Sequence, residues 1–183
     1  GGWGQLGHGG GQHHLLPKKF EALAGKHVVA VSAGAYHSIA ITADGAVWSW
    51  GGGTGGKLGH GDTQDQLLPK KIEALAGVVA VSAGASHSLA LTADGALWSW
   101  GGGGWGQLGH GGGQHHLLPK KFEALAGKHV VAVSAGAYHS IAITAESPRP
   151  LGPRQRPMGP AAAEEDRGIG WPAHRRRVGW SQP

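Results

Sequence analysis

The sequence predicts an all-β fold, a partial β-propeller of about three four-stranded antiparallel blades over residues 1–145, followed by a disordered tail over 146–183. Three observations carry this reading. A unit of about 50 residues recurs along the chain. Each unit holds an Asp-Gly pair, or the strand leading to it, between runs of alternating residues. Glycine, at 36 of 183 residues, is concentrated in short stretches between those runs.

The repeat is close to exact duplication. "GQLGHGGGQHHLLPKKFEALAG" begins at Gly4 and again at Gly106, and residues 1–43 equal residues 103–145 at every position. The middle copy, "GKLGHGDTQDQLLPKKIEALAG" from Gly56, keeps the frame and changes its polar residues. Leu6 to Leu58 spans 52 residues and Leu58 to Leu108 spans 50, the difference being the Lys26-His27 pair that the middle copy lacks. A period of this size belongs to propellers or helical arrays. The units run over about 1–50, 51–100 and 101–145.

The local pattern selects strands. In "HSIAITADGAVWSWG", His37, Ile39 and Ile41 alternate with Ser38, Ala40 and Thr42, then Asp44-Gly45 turns the chain into Val47–Trp50. Alternation on both sides of Asp-Gly is a strong hairpin signal. "VVAVSAG" from Val28 is a β-branched run closed by Gly34. "LPKKFEALAG" is ambiguous on pattern alone, because Leu16, Phe20 and Leu23 also fit helical spacing with Pro17 at a start and Gly25 past an end. Three definite β elements and one doubtful one per unit suit a four-stranded propeller blade.

"VWSWGGGTGGKLGHGDTQDQLLPKKIEALAGVVAVSAGASHSLALTADG" closely resembles the repeat of the regulator of chromosome condensation family. That pattern runs V-W-S-W-G, G-Q-L-G-H-G, P-x-x-[IV], V-x-x-V-x-x-G and H-S-x-A-L-T in order, and the resemblance covers residues 1–145. It implies four antiparallel strands per blade and makes "PKKFEAL" a strand. Kelch propellers share the period and form the minor alternative. The family's propeller has seven blades, which would need about 350 residues at this period. The chain therefore reads as a fragment of a larger protein, with its terminal blade faces free for self-association.

Several stretches resemble chemical signatures. Gly51 to Lys57 fits the opening of a phosphate-binding G-x-x-x-x-G-K loop. Such a loop needs Ser or Thr after its Lys and a following helix. Leu58 and "GHGD" follow here, and Gln5 and Gln107 replace the Lys in the other units, so the loop reads as a turn and no cofactor is expected. The 13 His include the groups His8, His13, His14 and His110, His115, His116. The middle unit has Asp65 and Gln66 in place of the His pair, which fits a variable exposed loop and no metal site. His37, His87 and His139 precede the same strand in each unit and read as structural. Trp48, Trp50, Trp98 and Trp100 alternate along short strands, as packing residues would. The plant ultraviolet-B photoreceptor, which is similar to this family, senses light through G-W-R-H-T; the matching "GAYHS" and "GASHS" carry Ala35, Ala85 and Ala137 at the Trp position, so that function is not implied. No Ser-His-Asp, Cys-His or paired-carboxylate grouping recurs, and the chain is not expected to be an enzyme.

Composition narrows the rest. There is no Cys, and no apolar run reaches the ~18 residues of a membrane helix. The net charge of +5 divides into nine Lys against seven acidic residues over 1–145, and seven Arg against four acidic residues over 146–183. A weakly basic repeat region gives no nucleic-acid signal. The tail, with seven of ten Pro and no strand-like period, has the composition of disorder, the run His174–Arg177 reads as solvated charge, and the tail is expected to play no part in the fold.

The resemblance implies a protein-protein interaction module, intracellular in cytoplasm or nucleus, with a protein partner and no membrane. Family members include exchange factors for the Ran GTPase, ubiquitin ligases of the HECT type and ciliary scaffolds. Guanine-nucleotide exchange on a small GTPase is the first alternative, and the propeller arm of a ligase in the ubiquitin pathway is another. Exchange in the founding member goes with a protruding hairpin, and no unit here holds such an insertion. The partner-binding residues are expected to be Tyr36, Ser86 and Tyr138, two residues past the Gly that ends "VAVSAG" in each unit. Loops at sheet ends can vary without disturbing the core, Tyr is enriched at interfaces, and the matching loops of the photoreceptor lie at its dimer surface.

Overall fold

The computed structural model describes residues 1–145 and the backbone of 176–180. The described residues form eleven strands: β1 (Val28–Ala33), β2 (His37–Thr42), β3 (Val47–Gly51), β4 (Gln66–Lys71), β5 (Val78–Ala83), β6 (His87–Thr92), β7 (Leu97–Gly101), β8 (His116–Lys121), β9 (His129–Ala135), β10 (Ser140–Ala145) and β11 (Arg176–Trp180). They form antiparallel sheets in the orders β1-β2-β3-β4, β5-β6-β7-β8 and β9-β10-β11. The fold is all-β and blade-like, as the sequence predicts, with two four-stranded blades and a third of three strands.

The Asp-Gly turns behave as expected. Thr42 Oγ1 donates to Asp44 Oδ1 at 2.5 Å, the Ala46 amide donates to the same oxygen at 3.2 Å, and Gly45 takes a φ of 75°. The Thr42 hydroxyl, then the Ala46 amide, hold the Asp44 carboxyl below its ordinary range. The same set recurs at Thr92, Asp94 and Ala96.

A blade is out of phase with the sequence unit. Its first three strands come from one unit and its fourth from the next, since β4 pairs with β3 and β8 with β7. The ambiguous segment is thereby resolved: "QLLPKK" and "HLLPKK" are strands, and "EAL" at Glu123–Leu125 is one short 3-10 turn. Pro69 and Pro119 are tolerated because each lies on an edge strand, opposite an irregularity in the register. The same segment of the first unit, residues 14–19, is not a strand. Its partner would be the tryptophan strand of a preceding unit.

Among the described residues the third blade holds three strands, and the sequence leaves the repeat after Ala145. The tail also departs from expectation at five residues. Arg176–Trp180 pairs with β10, with Trp180 opposite Ser140, as Trp50 lies opposite Ser38 and Trp100 opposite Ser88. A short run of alternating backbone hydrogen-bonding groups beside an unpaired edge is enough for pairing, whatever the surrounding composition. The expected disorder of 146–175 and 181–183 lies outside the described residues.

The cores lie between blades. Ile39, Ile41 and Val47 of the first blade pack with Val78, Ala83 and Trp100 of the second, and Leu89, Leu91 and Leu97 of the second pack with Val130 and Ala142 of the third. Both faces of a sandwiched sheet are therefore apolar. Phe20 and Leu23 cover Trp50 on the first blade, as Ile72 and Leu75 share a core with Trp100 on the second. Residues 20–23 thus stand where the end of a preceding blade's fourth strand would be.

Polar ties join the blades at the same points. His37 Nε2 lies 2.9 Å from Ser88 Oγ and His87 Nε2 lies 2.9 Å from Ser140 Oγ, with both rings and both Ser fully buried. Ser88 Oγ donates to Lys57 O at 2.8 Å and Ser140 Oγ to Gln107 O at 2.8 Å. The hydroxyl proton being committed, each imidazole must donate from Nε2, which fixes the neutral Nε2–H tautomer and leaves Nδ1 without a partner. The Ala83 amide donates to Ser32 Oγ at 3.0 Å and the Ala135 amide to Ser82 Oγ at 2.9 Å. Gly34 is required here, because a Cβ on it would lie 2.4 Å from the Gly84 carbonyl oxygen of the next blade.

Burial, with the Lys57 ammonium and His87 nearby, pushes the His37 ring down to about 3, and burial beside His139 pushes His87 down to about 4. Both rings bind a proton more readily unfolded, so their stabilisation is complete above about pH 6.5 and is lost as pH falls toward the folded values. Each contributes about 1.4 kcal/mol per pH unit across that window. Chemical denaturation is expected to show stability falling by roughly 3–4 kcal/mol between pH 7.5 and pH 5, with His87→Gln lowering that slope by about half. A stability independent of pH over this range would contradict the assignment.

Candidate functional site: an aromatic-walled groove across three units

Tyr36, Ser86 and Tyr138 sit in the loops between the first and second strands of the three blades. The geometry brings all three to one groove of about 710 Å³, which Trp3, Trp105, Leu117 and Gln107 also line. Four of its aromatic rings are open to solvent: Trp3 is 52% exposed, Tyr36 51%, Trp105 66% and Tyr138 60%. Trp105 meets Tyr138 edge-on with ring centroids 5.8 Å apart.

The unit pattern explains the shape. Trp3 and Trp105 align with Gly55 in the middle unit, and Tyr36 and Tyr138 align with Ser86. The outer units carry a large aromatic at both positions, and the middle unit carries a small residue at both. Ser86, Gly55 and Gly102 therefore line a notch between two aromatic walls. The sequence reading weighed only the Trp residues of the strands and missed Trp3 and Trp105. The signal was present in the paired change from Trp and Tyr to Gly and Ser.

The glycine-rich turns are built to hold this face. Gln5 Oε1 accepts from the Trp3 amide at 2.9 Å, and Gln107 Oε1 accepts from the Trp105 amide at 2.9 Å, which positions each Trp backbone. Gln107 Nε2 also donates to Ser86 Oγ at 3.3 Å on the groove floor. Lys57 takes the Gln position in the middle unit; it is 4% exposed and donates from Nζ to the Thr54 carbonyl at 2.7 Å. Burial holds its ammonium below the ordinary lysine range. Its side chain serves the turn, and a 3-10 turn at Thr54–Gly56 precedes it.

The histidine loops have structural work. His60 Nε2 lies 3.0 Å from Ser49 Oγ and His110 Nε2 lies 2.8 Å from Ser99 Oγ, and each of those hydroxyls donates to a Leu carbonyl, at 2.7 Å for Leu58 and 2.8 Å for Leu108. The imidazole therefore donates, anchoring the "LGHG" turn to the tryptophan strand. His115 Nδ1 accepts from the Gly103 amide at 3.2 Å, and Asp65 Oδ1 accepts from the equivalent Gly53 amide at 2.8 Å. The exchange of His for Asp, read from sequence as loop variability, keeps a side-chain acceptor for the same backbone amide. Among the described residues, no group of three or more His, Asp or Glu is placed to hold a metal ion, and no helix is long and apolar enough to cross a membrane.

Comparison with known proteins agrees with this architecture. Part of the chain, 40% of it, is 49% identical over 74 residues to the human E3 ubiquitin-protein ligase HERC2, covering 2% of that protein. It is 41% identical over 78 residues to the ultraviolet-B receptor UVR8 of Arabidopsis thaliana, covering 43% of this chain and 18% of the receptor. It is 44% identical over 75 residues to human alsin, covering 41% of this chain and 4% of alsin. The chain thus spans less than a fifth of each of these relatives. Among solved structures, yeast Prp20p superposes with a TM-score of 0.68 at 21% identity, over 81% of this chain and 39% of that one, and human WBSCR16 with 0.65 at 25% identity, over 78% and 38%. The model of the regulator of chromosome condensation (RCC1) repeat matches residues 1–41, 44–91 and 94–143, and the chain belongs to that family.

Proposed function

We propose that this chain is a protein-interaction module that binds an extended segment of a partner protein across the groove between Tyr36 and Tyr138, with Ser86 at its floor. The single observation that carries the reading is the groove itself: four exposed aromatic rings, from units one and three, converge on a notch formed by the middle unit. Rigid aromatics give large contact area at low entropic cost, and a concave groove with aromatic walls and a few polar groups at its floor suits a side chain held in an extended peptide. The reading assigns no catalytic step to this chain, and it places the module inside the cell, where its family relatives' GTPase and ubiquitin chemistry would lie.

Guanine-nucleotide exchange is a second reading. Prp20p, which shares the fold, is described with binding properties to Gsp1p and histones. A small GTPase is a natural partner class on that ground. The ligase relative offers a third role, as a substrate-side arm of a larger chain whose chemistry lies elsewhere.

Peptides selected from a random display library on the 183-residue chain should lose at least tenfold in affinity when Tyr36 and Tyr138 are both changed to Ala, because truncating a central interface aromatic typically costs more than ~1 kcal/mol. Ser86→Trp, which fills the notch, should abolish binding with the fold intact by circular dichroism. Unchanged affinity in both variants would remove the groove from the function. Accelerated release of labelled GDP from a Ran-type GTPase would favour the exchange reading instead.

A further inference from the structure

We infer that copies of this 183-residue chain join head to tail, the third blade of one copy receiving the first unit of the next as if it were the following repeat. This inference is independent of the groove and its partner. It rests on two blade interfaces that are incomplete among the described residues and whose halves are each observed, completed, elsewhere in the same chain.

At the leading interface, Ser38 Oγ donates to Gln5 O at 3.0 Å, as Ser88 and Ser140 donate to Lys57 O and Gln107 O. Ser88 and Ser140 also receive an imidazole from the preceding blade. Among the described residues, Ser38 receives none. At the trailing interface, His139 stands in the register of His37 and His87, yet it is exposed where those two are fully buried. Ser134, equivalent to Ser32 and Ser82, is exposed as well, and so is Ala33, whose counterpart Ala83 donates its amide across the interface. The leading end thus offers the Ser38 hydroxyl as an acceptor and the Ala33 amide as a donor, and the trailing end offers the His139 imidazole as a donor and the Ser134 hydroxyl as an acceptor.

The side chains that would meet are ones already shown to fit. The stretch "VVAVSAGAYHS" is the same in the first and third units. Its face toward a following blade is seen in the contact of the first blade with the second. Its face toward a preceding blade is seen in the contact of the second blade with the third. Joining the third blade of one copy to the first blade of another repeats both halves. His139 Nε2 would then donate to Ser38 of the next copy, and Ser134 Oγ would accept from its Ala33 amide.

Strand pairing points the same way. Among the described residues the third blade has β9, β10 and β11 and no fourth strand, while residues 14–19, the counterpart of β4 and β8, pair with no strand. Leu15 is 99% exposed and Leu16 80%, against 43% and 52% for Leu67 and Leu68 in β4. Phe20 and Leu23 already hold the end of that segment against Trp50. Docking along β11 therefore asks for strand addition to an edge that no described residue pairs with. The contact is heterologous, so it propagates into rings or open chains and does not stop at a symmetric pair.

The chain has no cysteine, which makes directed cross-linking clean. Ala33→Cys and Ser134→Cys, both at exposed positions, are purified separately and mixed under mild oxidation. The expected result is a disulfide-linked dimer in the mixture that neither variant gives alone, and a ladder or closed ring from the double variant. Sedimentation of the unmodified chain should show mass rising with concentration, and His139→Ala should weaken that association roughly tenfold, the loss of a well-formed buried hydrogen bond. A monomer at all concentrations, or cross-linking as strong for either single variant as for the mixture, would overturn the inference.

Discussion

One backbone carbonyl per unit organises the structure. Gln5 O accepts from the Ser38 hydroxyl and from Trp50 Nε1, at 3.0 and 2.9 Å. Lys57 O accepts from the Ser88 hydroxyl and from Trp100 Nε1, at 2.8 and 3.0 Å. Because that carbonyl takes the serine proton, the serine can only accept from the imidazole of the preceding blade. Three groups from two neighbouring blades are thereby fixed around one oxygen, in a buried site where an unmade hydrogen bond would be costly. The conserved spacing of "G-x-L-G-H-G", "W-S-W" and "H-S-[IL]-A" within each unit is the sequence form of that arrangement.

The same carbonyl connects stability to the candidate site. It belongs to the residue whose side chain, as Gln5 or Gln107, accepts from the backbone amide of Trp3 or Trp105. The main chain of this residue ties blades together while its side chain sets the aromatic wall above them. In the middle unit, Lys57 keeps the backbone role and gives up the side-chain one, coinciding with the loss of both the Trp and the Tyr. A repeat can therefore change its surface chemistry at three positions without touching the carbonyl beneath. That is how a groove arises from units that are otherwise nearly identical.

Much of this was legible in the sequence, and the limits have physical reasons. The hairpins at Asp44-Gly45 and Asp94-Gly95 were readable because turn chemistry and alternation are local. The three loop residues Tyr36, Ser86 and Tyr138 could be placed together because a repeat puts equivalent residues on one face. The strand at Gln66–Lys71 was ambiguous because Pro69 and a register irregularity hide its alternation, and its partner β3 precedes it by a glycine-rich loop. Its absence at residues 14–19 could not be read at all, since the identical sequence is a strand at His116–Lys121; only the neighbour differs. The pairing of Arg176–Trp180 with β10 was hidden for a related reason, because an open edge accepts a strand on backbone groups that composition does not report. Trp3 and Trp105 lie on glycine-rich turns, where no alternation marks which way a side chain faces.

The claim at the centre of this account is that His37 and His87 are neutral, Nε2-protonated donors buried between blades. Nitrogen-15 spectroscopy of the imidazoles across a pH titration observes the tautomer and the protonation state of each ring directly. Two rings that keep the Nε2–H form and stay neutral down to pH 5 are the predicted result. If those two rings become charged above pH 5, or carry the proton on Nδ1, the relay through Ser88 and Ser140 does not hold the blades together.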